Sequence, residues 1–379
     1  MTDEVLRGRI VLDEEVVPGR LVLEDGWIRA VEPDPADADA AAGPIYAPGF
    51  VDVHVHGWGG HDALGDADAL SGMARALLRR GVTSFLPTAP TISVDDLSAF
   101  AERVRTWMPD APDDGAQPLG FNLEGPFLAP ERRGAHDPEL LRTPAAMDDA
   151  FLDPLLDGLR VMTVAPELPG ALELIARLAS HGVAASLGHS ESTIDQARAG
   201  YAAGARSTTH LFNAMTGVDH RVPGLAVAAL LDDAVYVELI ADGNHVHPAL
   251  WPLVVRAKGA DRLVLISDAL PIAGSATRRG RIGGLECEVR DGRAVVAGTD
   301  TLAGSVIALD TAVRNVAEGH GLPFAVAGAA TNPAALLEAD DRGRLVAGRR
   351  AHVAELDDDL RVRRVTRGGG WIEGAGTRA

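Results

Sequence analysis

Short apolar, β-branched runs alternate with amphipathic segments from residue 50 onward. Helical patterns at residues 68–80, 171–181 and 193–203 lie between several of these runs, and each ends at a glycine, a common helix stop. Strands that alternate with helices predict a parallel sheet buried on both faces. Eight such runs predict a closed (β/α)8 barrel of TIM type, with strands at residues 50–57, 82–89, 118–125, 159–167, 183–190, 207–213, 236–243 and 262–269.

Both ends of the chain break this rhythm. Residues 1–47 hold short alternating strands around the hairpin dipeptide Asp25-Gly26, and residues 346–379 alternate again. We expect the two ends to pair into one small β-sandwich domain beside a barrel of residues 48–345. Two long inserts, residues 126–149 and 271–304, are predicted to cover the carboxyl face of the barrel, and the second contains two strand-like pieces.

Composition narrows the classes of function. The formal net charge of -19 argues against binding to nucleic acid or to an anionic membrane through a basic face. No stretch approaches the roughly 18 apolar residues of a membrane helix, and the first residues do not resemble a signal peptide, so a cytoplasmic location is expected. Cys287 is the only cysteine, which excludes thiolate metal clusters. Lys258, the only lysine, is expected to be a solvated cation at a helix end, and a lysine bridging two metals is not expected.

Histidines and carboxylates stand where the predicted strands end. Because the carboxyl ends of barrel strands meet at one face, these side chains should converge on a divalent metal. Each histidine alone also fits a buried core group, and each carboxylate fits a helix cap or loop residue. Together they predict a hydrolytic metal site with a place for water, made by His54, His56, Glu124, His189, His210 and Asp268.

Several longer segments carry a resemblance. The opening strand, Tyr46 to Gly57, resembles that of the amidohydrolase superfamily. The further segments, in order, resemble the N-acetylglucosamine-6-phosphate deacetylase family over nearly the whole chain. They are residues 122–127, 133–136, 163–167, 188–190, 209–215, 240–245 and 301–305.

The resemblance implies a reaction. A metal-dependent hydrolase of this kind removes acetate from N-acetyl-D-glucosamine 6-phosphate and leaves D-glucosamine 6-phosphate. Metal-activated hydroxide would attack the acetamide carbonyl, with Asp268 as acid and base. Glu124, His189 and His210 would hold the main ion. Zinc suits these ligands, and iron or another divalent ion remains open.

The resemblance also implies roles for residues around the metal. His136 would meet the scissile amide or the sugar. Asn213, the Ala214 backbone and His245 would hold the sugar phosphate, and Arg221 would reach the phosphate in a neighbouring subunit of a homodimer. The acetyl pocket would be bordered by Leu302, Ala303 and Gly304.

Two questions stay open at this stage. Some family members carry Gln and Asn in place of His54 and His56 and use one metal, so the histidines here predict that a second ion can bind, with Glu124 bridging. The alternatives to the predicted activity are deacetylation of the galactosamine 6-phosphate epimer, another amidohydrolase reaction such as cyclic amide hydrolysis or deamination, and non-catalytic binding of a sugar phosphate.

Overall fold

Eight parallel strands form the central barrel of the computed structural model, which describes residues 4–375. Each predicted strand is present, although most are shorter than the apolar run that predicts them. Neighbouring strands are paired in chain order. Their bounds are Phe50–Val55, Val82–Ala89, Phe121–Glu124, Leu159–Val164, Ala184–Leu187, Ser207–Thr208, Tyr236–Ile240 and Leu263–Ile266.

The first and eighth strands close the ring at the carboxyl end. The backbone N–H of Asp268 donates to the carbonyl of His54 at 2.9 Å, and the N–H of His56 donates to the carbonyl of Ala269, also at 2.9 Å. A two-residue strand, Gln117–Pro118, joins the edge of the second barrel strand. The predicted (β/α)8 fold is therefore confirmed, and its closure lies beside the predicted metal ligands.

Helices pack around the barrel. Side-chain caps fix several starts, including Ser93, which accepts from Asp96 N, and Thr193, which forms a capping box with Gln196. The three helices predicted from the sequence agree with observed helices to within two residues. The α-helices are Ala38–Ala41, Ala67–Leu78, Val94–Trp107, Asp149–Leu156, Ala171–Ser180, Ile194–Ala202, Leu225–Leu231, Trp251–Lys258, Leu309–His320, Leu322–Val326 and Asn332–Leu336.

The two chain ends build one separate sheet, as expected. Strand Ile45–Pro48 lies between Glu4–Val11 from the N-terminal segment and His352–Leu356 from the C-terminal segment. The sheet curls around its own apolar core, because Trp27 forms a bridge with Arg350. The domain boundaries at residues 47 and 345 stay a prediction. The sheet's strands, in spatial order, are Ile372–Glu373, Val362–Arg367, His352–Leu356, Ile45–Pro48, Glu4–Val11, Val16–Glu24 and Trp27–Pro33.

The second insert differs from its prediction by one strand. It folds as a three-stranded antiparallel sheet, Arg279–Ile282, Leu285–Arg290 and Arg293–Val296, instead of two strand-like pieces. The first of these strands, Arg-Gly-Arg-Ile, is short and has one large apolar residue, so its apolar signal is weak. Ile282 and the free thiol of Cys287 belong to a small core that joins this sheet to the first insert and the barrel rim.

The expectation for Lys258 was wrong. Its side chain is buried, and Nζ donates to the backbone carbonyls of Ala229 at 2.9 Å and Asp232 at 2.5 Å. The helix Leu225–Leu231 ends there, and the last carbonyls of a helix lack partners of their own. Burial lowers the pKa of Lys258 to about 8. Within residues 4–375, no helix is long and apolar enough to span a bilayer.

Candidate active site

The predicted ligand residues converge at the carboxyl end of the barrel. Every one of these side chains is at most 8% exposed. Five of the eight strands supply them in order around the ring, so residues far apart in sequence face one another. They are His54 and His56 on the first strand, Glu124 at the end of the third, His189 after the fifth, His210 after the sixth and Asp268 after the eighth.

Three of these residues have a left-handed backbone. The φ angles are 47° at His189, 29° at His210 and 47° at Asp268. Non-glycine residues adopt this region rarely, and such strain concentrates at functional sites because the surrounding structure must enforce it. The turn after each strand therefore directs the side chain inward across the mouth of the barrel.

Glu124 lies at the centre of the cluster. Its Oε1 is 3.0 Å from His189 Nε2 and 2.9 Å from His210 Nε2. Its Oε2 is 3.3 Å from His56 Nε2. Gly125, which follows it, has a φ of +100°, and a Cβ there would lie 2.2 Å from Thr91 Oγ1. Oε1 thus faces His189 and His210, with His54 Nε2 3.7 Å away, and Oε2 faces His56.

Asp268 completes the second group. Its Oδ1 is 3.2 Å from His56 Nε2 and 3.7 Å from His54 Nε2. Neither of these buried ring nitrogens has a hydrogen-bond partner of acceptable geometry in the described part of the chain. His54, His56 and Asp268 have ligand atoms close enough together to hold one ion.

Partners on the far side of two of the rings show which ring nitrogen carries the proton. His56 Nδ1 lies 3.1 Å from the carbonyl of Thr88, and His189 Nδ1 lies 2.7 Å from the carbonyl of Arg132. A carbonyl can only accept, so each Nδ1 carries a proton and a neutral ring turns an Nε2 lone pair towards the carboxylates. Lone pairs and carboxylate oxygens repel unless a cation lies between them. The residues therefore fit a divalent metal site.

His136 differs from the other histidines. Its Nδ1 accepts the backbone N–H of Thr91 at 3.1 Å, so the proton of the neutral ring is on Nε2, 3.3 Å from Glu124 Oε2. Distance alone places His136 with Glu124 and His189 in a possible metal group. Its hydrogen bonding instead makes it a donor at the rim of the site, because a protonated Nε2 has no lone pair for a metal.

The charges of the cluster depend on one another. Burial raises the pKa of Glu124, but His136 and His54 outweigh it and hold that pKa well below its ordinary value. Burial lowers the pKa of His56, yet Asp268 and Glu124 outweigh it and raise the value to about 9. Burial dominates at His189 and lowers its pKa to about 4. The carboxylates thus stay ionised and attract positive charge to the first strand.

A cavity of about 320 Å³ opens above the cluster, near the lower end of the size range of ligand pockets. Three predicted site residues do not line it. His54 lies fully buried, Ala303 is buried with its N–H bonded to the carbonyl of Ala294, and Arg221 is exposed on a separate loop. The predicted residues that line it are His56, Glu124, His136, His189, His210, Asn213, Ala214, His245, Asp268, Leu302 and Gly304.

His245 stands at the outer wall of the cavity. Asp242 holds its ring through a 2.8 Å contact between Oδ2 and Nδ1, and Oδ1 accepts the backbone N–H groups of Asn244 and His245. Burial raises the pKa of Asp242, but His245 outweighs burial and lowers it. Because a carboxylate can only accept, Nδ1 of His245 carries a proton; Nε2 accepts in the neutral ring and donates to a ligand only in the imidazolium form. Asn213 instead uses its amide to bridge the carbonyls of His210 and Leu211.

Sequence reasoning missed other residues at the site. Glu131, Arg132, Ile282 and Thr301 line the cavity but come from the inserts, where no period constrains side-chain direction. Glu238 is fully buried beneath His54. The sequence does contain a signal for Glu238, because a carboxylate within the otherwise apolar strand Tyr236–Ile240 is unusual.

Comparisons with known proteins agree with this geometry. A sequence profile described as the amidohydrolase family matches residues 45–370. The N-acetylgalactosamine-6-phosphate deacetylase of Escherichia coli O157:H7 is 40% identical over 380 residues, which cover 98% of either chain. Human N-acetylglucosamine-6-phosphate deacetylase is 37% identical over 374 residues, 91% of this chain and 90% of the human one.

Solved structures give the same result. A mutant N-acetyl-D-glucosamine-6-phosphate deacetylase from Mycobacterium smegmatis, in complex with N-acetyl-D-glucosamine-6-phosphate, superposes with a TM-score of 0.89 at 37% identity and covers 98% of this chain and 99% of its own. The N-acetylglucosamine-6-phosphate deacetylase of Thermotoga maritima gives a TM-score of 0.90 at 30% identity, with 98% of this chain and all of the other covered.

Proposed function

Because this chain belongs to the amidohydrolase family, we propose that it is a metal-dependent hydrolase that removes acetate from N-acetyl-D-glucosamine 6-phosphate and leaves D-glucosamine 6-phosphate. The resemblance drawn from the sequence motifs is confirmed by relatives similar over nearly the whole chain. The observation that carries the proposal is the buried cluster of carboxylates and imidazole lone pairs on the floor of a cavity of ligand size.

The cluster offers places for two ions. Glu124, His189 and His210 would hold one, and His54, His56 and Asp268 would hold the other, with Glu124 bridging because Oε1 faces His189 and His210 while Oε2 faces His56. We propose zinc as the ion, with iron as the main alternative, since imidazole and carboxylate ligands suit both. When bound, such an ion acidifies a water molecule and polarises a carbonyl oxygen.

Two residues of the chain would move or hold protons. Asp268 reaches the mouth of the site and would take a proton from the attacking water, then return it to the sugar nitrogen as the carbon–nitrogen bond breaks. The Nε2–H of His136 would donate to the acetamide oxygen, where negative charge develops. The products are acetate and the free amine.

The outer residues would hold the sugar phosphate. His245, held by Asp242, would donate to the phosphate from Nε2 of its imidazolium form, which the two negative charges on either side favour. Asn213 with the Ala214 backbone would position the sugar phosphate. Leu302 and Gly304 would border the acetyl group. These residues lie on the loops that follow the strands and on the second insert, where specificity in barrel enzymes resides.

Arg221 would act from a neighbouring subunit. It is exposed and does not line the cavity of its own chain, while Val218 and Val222 beside it are 63% and 69% exposed. Exposed apolar side chains beside a cation are typical of an interface. We therefore propose a homodimer. A cytoplasmic location is also part of the proposal, because a charged sugar phosphate does not cross a bilayer unaided.

Acetate release tests the proposed reaction. Purified enzyme would be assayed with N-acetylglucosamine 6-phosphate, its galactosamine epimer and the unphosphorylated sugar. We expect release from the phosphorylated glucosamine derivative and little from the unphosphorylated sugar, because His245 and Arg221 would have no anion to bind. No release from any of the three would favour another amidohydrolase reaction or a binding function.

Deacetylation of the galactosamine epimer is the second candidate. The Escherichia coli relative named for that epimer is 40% identical to this chain, slightly more than the human glucosamine enzyme at 37%. The two substrates differ only in the configuration of one hydroxyl group. A higher kcat/KM for the galactosamine derivative in the same panel would establish this alternative.

A further inference from the structure

Glu238 is a buried carboxylate that the proposed mechanism does not use. It is fully buried in the seventh barrel strand, and its Oε2 lies 3.2 Å from Nδ1 of His54. The same oxygen accepts the backbone N–H of His210 at 3.2 Å. Its Oε1 has no hydrogen-bond partner within residues 4–375. Burying a carboxylate costs free energy unless hydrogen bonds or nearby positive charge stabilise it.

The two contacts of Glu238 Oε2 connect the two proposed ion sites. His54 is a predicted ligand of one ion and His210 of the other, and both touch a single oxygen of Glu238. Among the three predicted metal ligands whose Nδ1 has a partner, His54 faces a carboxylate, whereas His56 and His189 use the backbone carbonyls of Thr88 and Arg132. A carboxylate acceptor makes a stronger hydrogen bond than a carbonyl and increases the basicity of the opposite ring nitrogen.

We propose that Glu238 is a positioning residue for the metal centre, which holds the His54 ring with Nδ1 protonated so that Nε2 faces Asp268 and Glu124. The same oxygen also restrains the left-handed turn at His210, where φ is 29°. This inference deepens the proposed function, because it rests on the cluster being a metal site. It does not depend on which sugar is the substrate.

Zinc binding without substrate tests the proposal. Metal-free wild-type protein and Glu238→Gln would be titrated with zinc alone, and the bound ions counted by mass spectrometry. Glutamine keeps the volume and an acceptor oxygen but removes the charge. We expect the more weakly held zinc to bind about 10 to 100 times less tightly in the variant, the usual effect of losing such a supporting contact. Equal zinc affinities in both proteins would overturn the proposal.

Asp52→Asn is the matched control. Asp52 is also a fully buried carboxylate of the barrel interior, but its Oδ1 accepts the backbone N–H groups of His54 and Ser267 instead of a ring N–H. The substitution there should change zinc affinity much less than at Glu238. An equally large loss in Asp52→Asn would show a general effect of replacing a buried carboxylate and would refute a specific role for Glu238.

A double-mutant cycle identifies the route of the effect. In a His54→Asn background the ring that Glu238 holds is gone, so Glu238→Gln should weaken zinc binding little further. Full additivity of the two losses would contradict action through His54.

A measurement on wild-type protein remains if the variants do not fold. In zinc-loaded protein with ¹⁵N-labelled histidine, His54 should show a protonated Nδ1 that exchanges slowly with solvent. Zinc bound at Nδ1 would refute the proposal. All of these measurements are independent of acetate release. If the deacetylase assay failed, metal binding alone would still decide this proposal.

Discussion

Acidification should destabilise the protein through His352 of the small sheet. This histidine is 3% exposed and lies near Arg342, Arg350 and Arg367, and its Nδ1 has no hydrogen-bond partner among the described residues. Burial, followed by the positive charge of the arginines, lowers its pKa to about 3. The folded protein therefore keeps this ring neutral in mildly acidic solution.

The direction of this pH effect follows from how many protons the folded and unfolded chains bind. An unfolded chain protonates a histidine with a pKa of about 6.5, whereas the folded chain does not take up that proton until far lower pH. The stabilising contribution of neutral His352 is thus present above about pH 6.5 and is lost as the pH falls towards 3. Between pH 7 and pH 5 the expected loss is about 2 kcal/mol. The size of this loss depends only on the pKa of His352 in the unfolded chain, provided that its pKa in the folded chain is below about 4.

Urea unfolding at both pH values measures the effect. Wild type and His352→Gln would be compared without metal, because loss of ions at pH 5 would otherwise dominate. The variant should lose about 2 kcal/mol less than wild type between pH 7 and pH 5. The exposed His181→Gln serves as control and should lose as much as wild type. Equal losses in wild type and His352→Gln would refute the assignment of a buried neutral histidine.

The remaining predictions concern the metal centre. Asp268→Asn should retain the ion held by Glu124, His189 and His210 while acetate release falls about 10² to 10⁴-fold, the usual contribution of a general base, and near-normal rates would exclude that role. His56→Asn should lower the zinc content from two ions to one, measured by mass spectrometry; unchanged stoichiometry would contradict a second site. Removal of metal with a chelator should lower the melting temperature of wild type, because an ion at a thousand times its Kd adds about 4 kcal/mol to the free energy of unfolding. An unchanged melting temperature would mean that the ions do not stabilise the fold.

The barrel and the residues that meet at its carboxyl end could be predicted from the sequence because both follow local rules. Apolar runs mark buried strands, and polar residues such as Glu124 and Asp268 at the ends of those runs must lie at the carboxyl face. Residues two apart on a strand share a face, which brought His54 and His56 together. The two-residue period of a strand and the order of the elements along the chain are enough to place these residues.

Features that depend on tertiary contacts were not predictable. Lys258 is buried because a neighbouring helix leaves carbonyl groups without partners, and its own helix pattern gives no sign of this. Ala303 lies in a motif of the cavity wall, yet its small side chain faces the interior. His136 is a donor because the N–H of Thr91, 45 positions away, occupies its Nδ1. In each case the partner is remote in sequence, and periodicity does not reveal it.

The number of ions depends on what lies between the first strand and Asp268. One ion held by Glu124, His189 and His210 accounts for the nitrogens near Glu124 Oε1. It leaves Nε2 of His56 3.2 Å from Asp268 Oδ1 and 3.3 Å from Glu124 Oε2, distances that require positive charge on or beside the ring. Without a second ion that charge must be a proton, in keeping with a pKa of His56 raised to about 9. We propose that a second ion takes the place of this proton, with His54, His56 and Asp268 as its ligands.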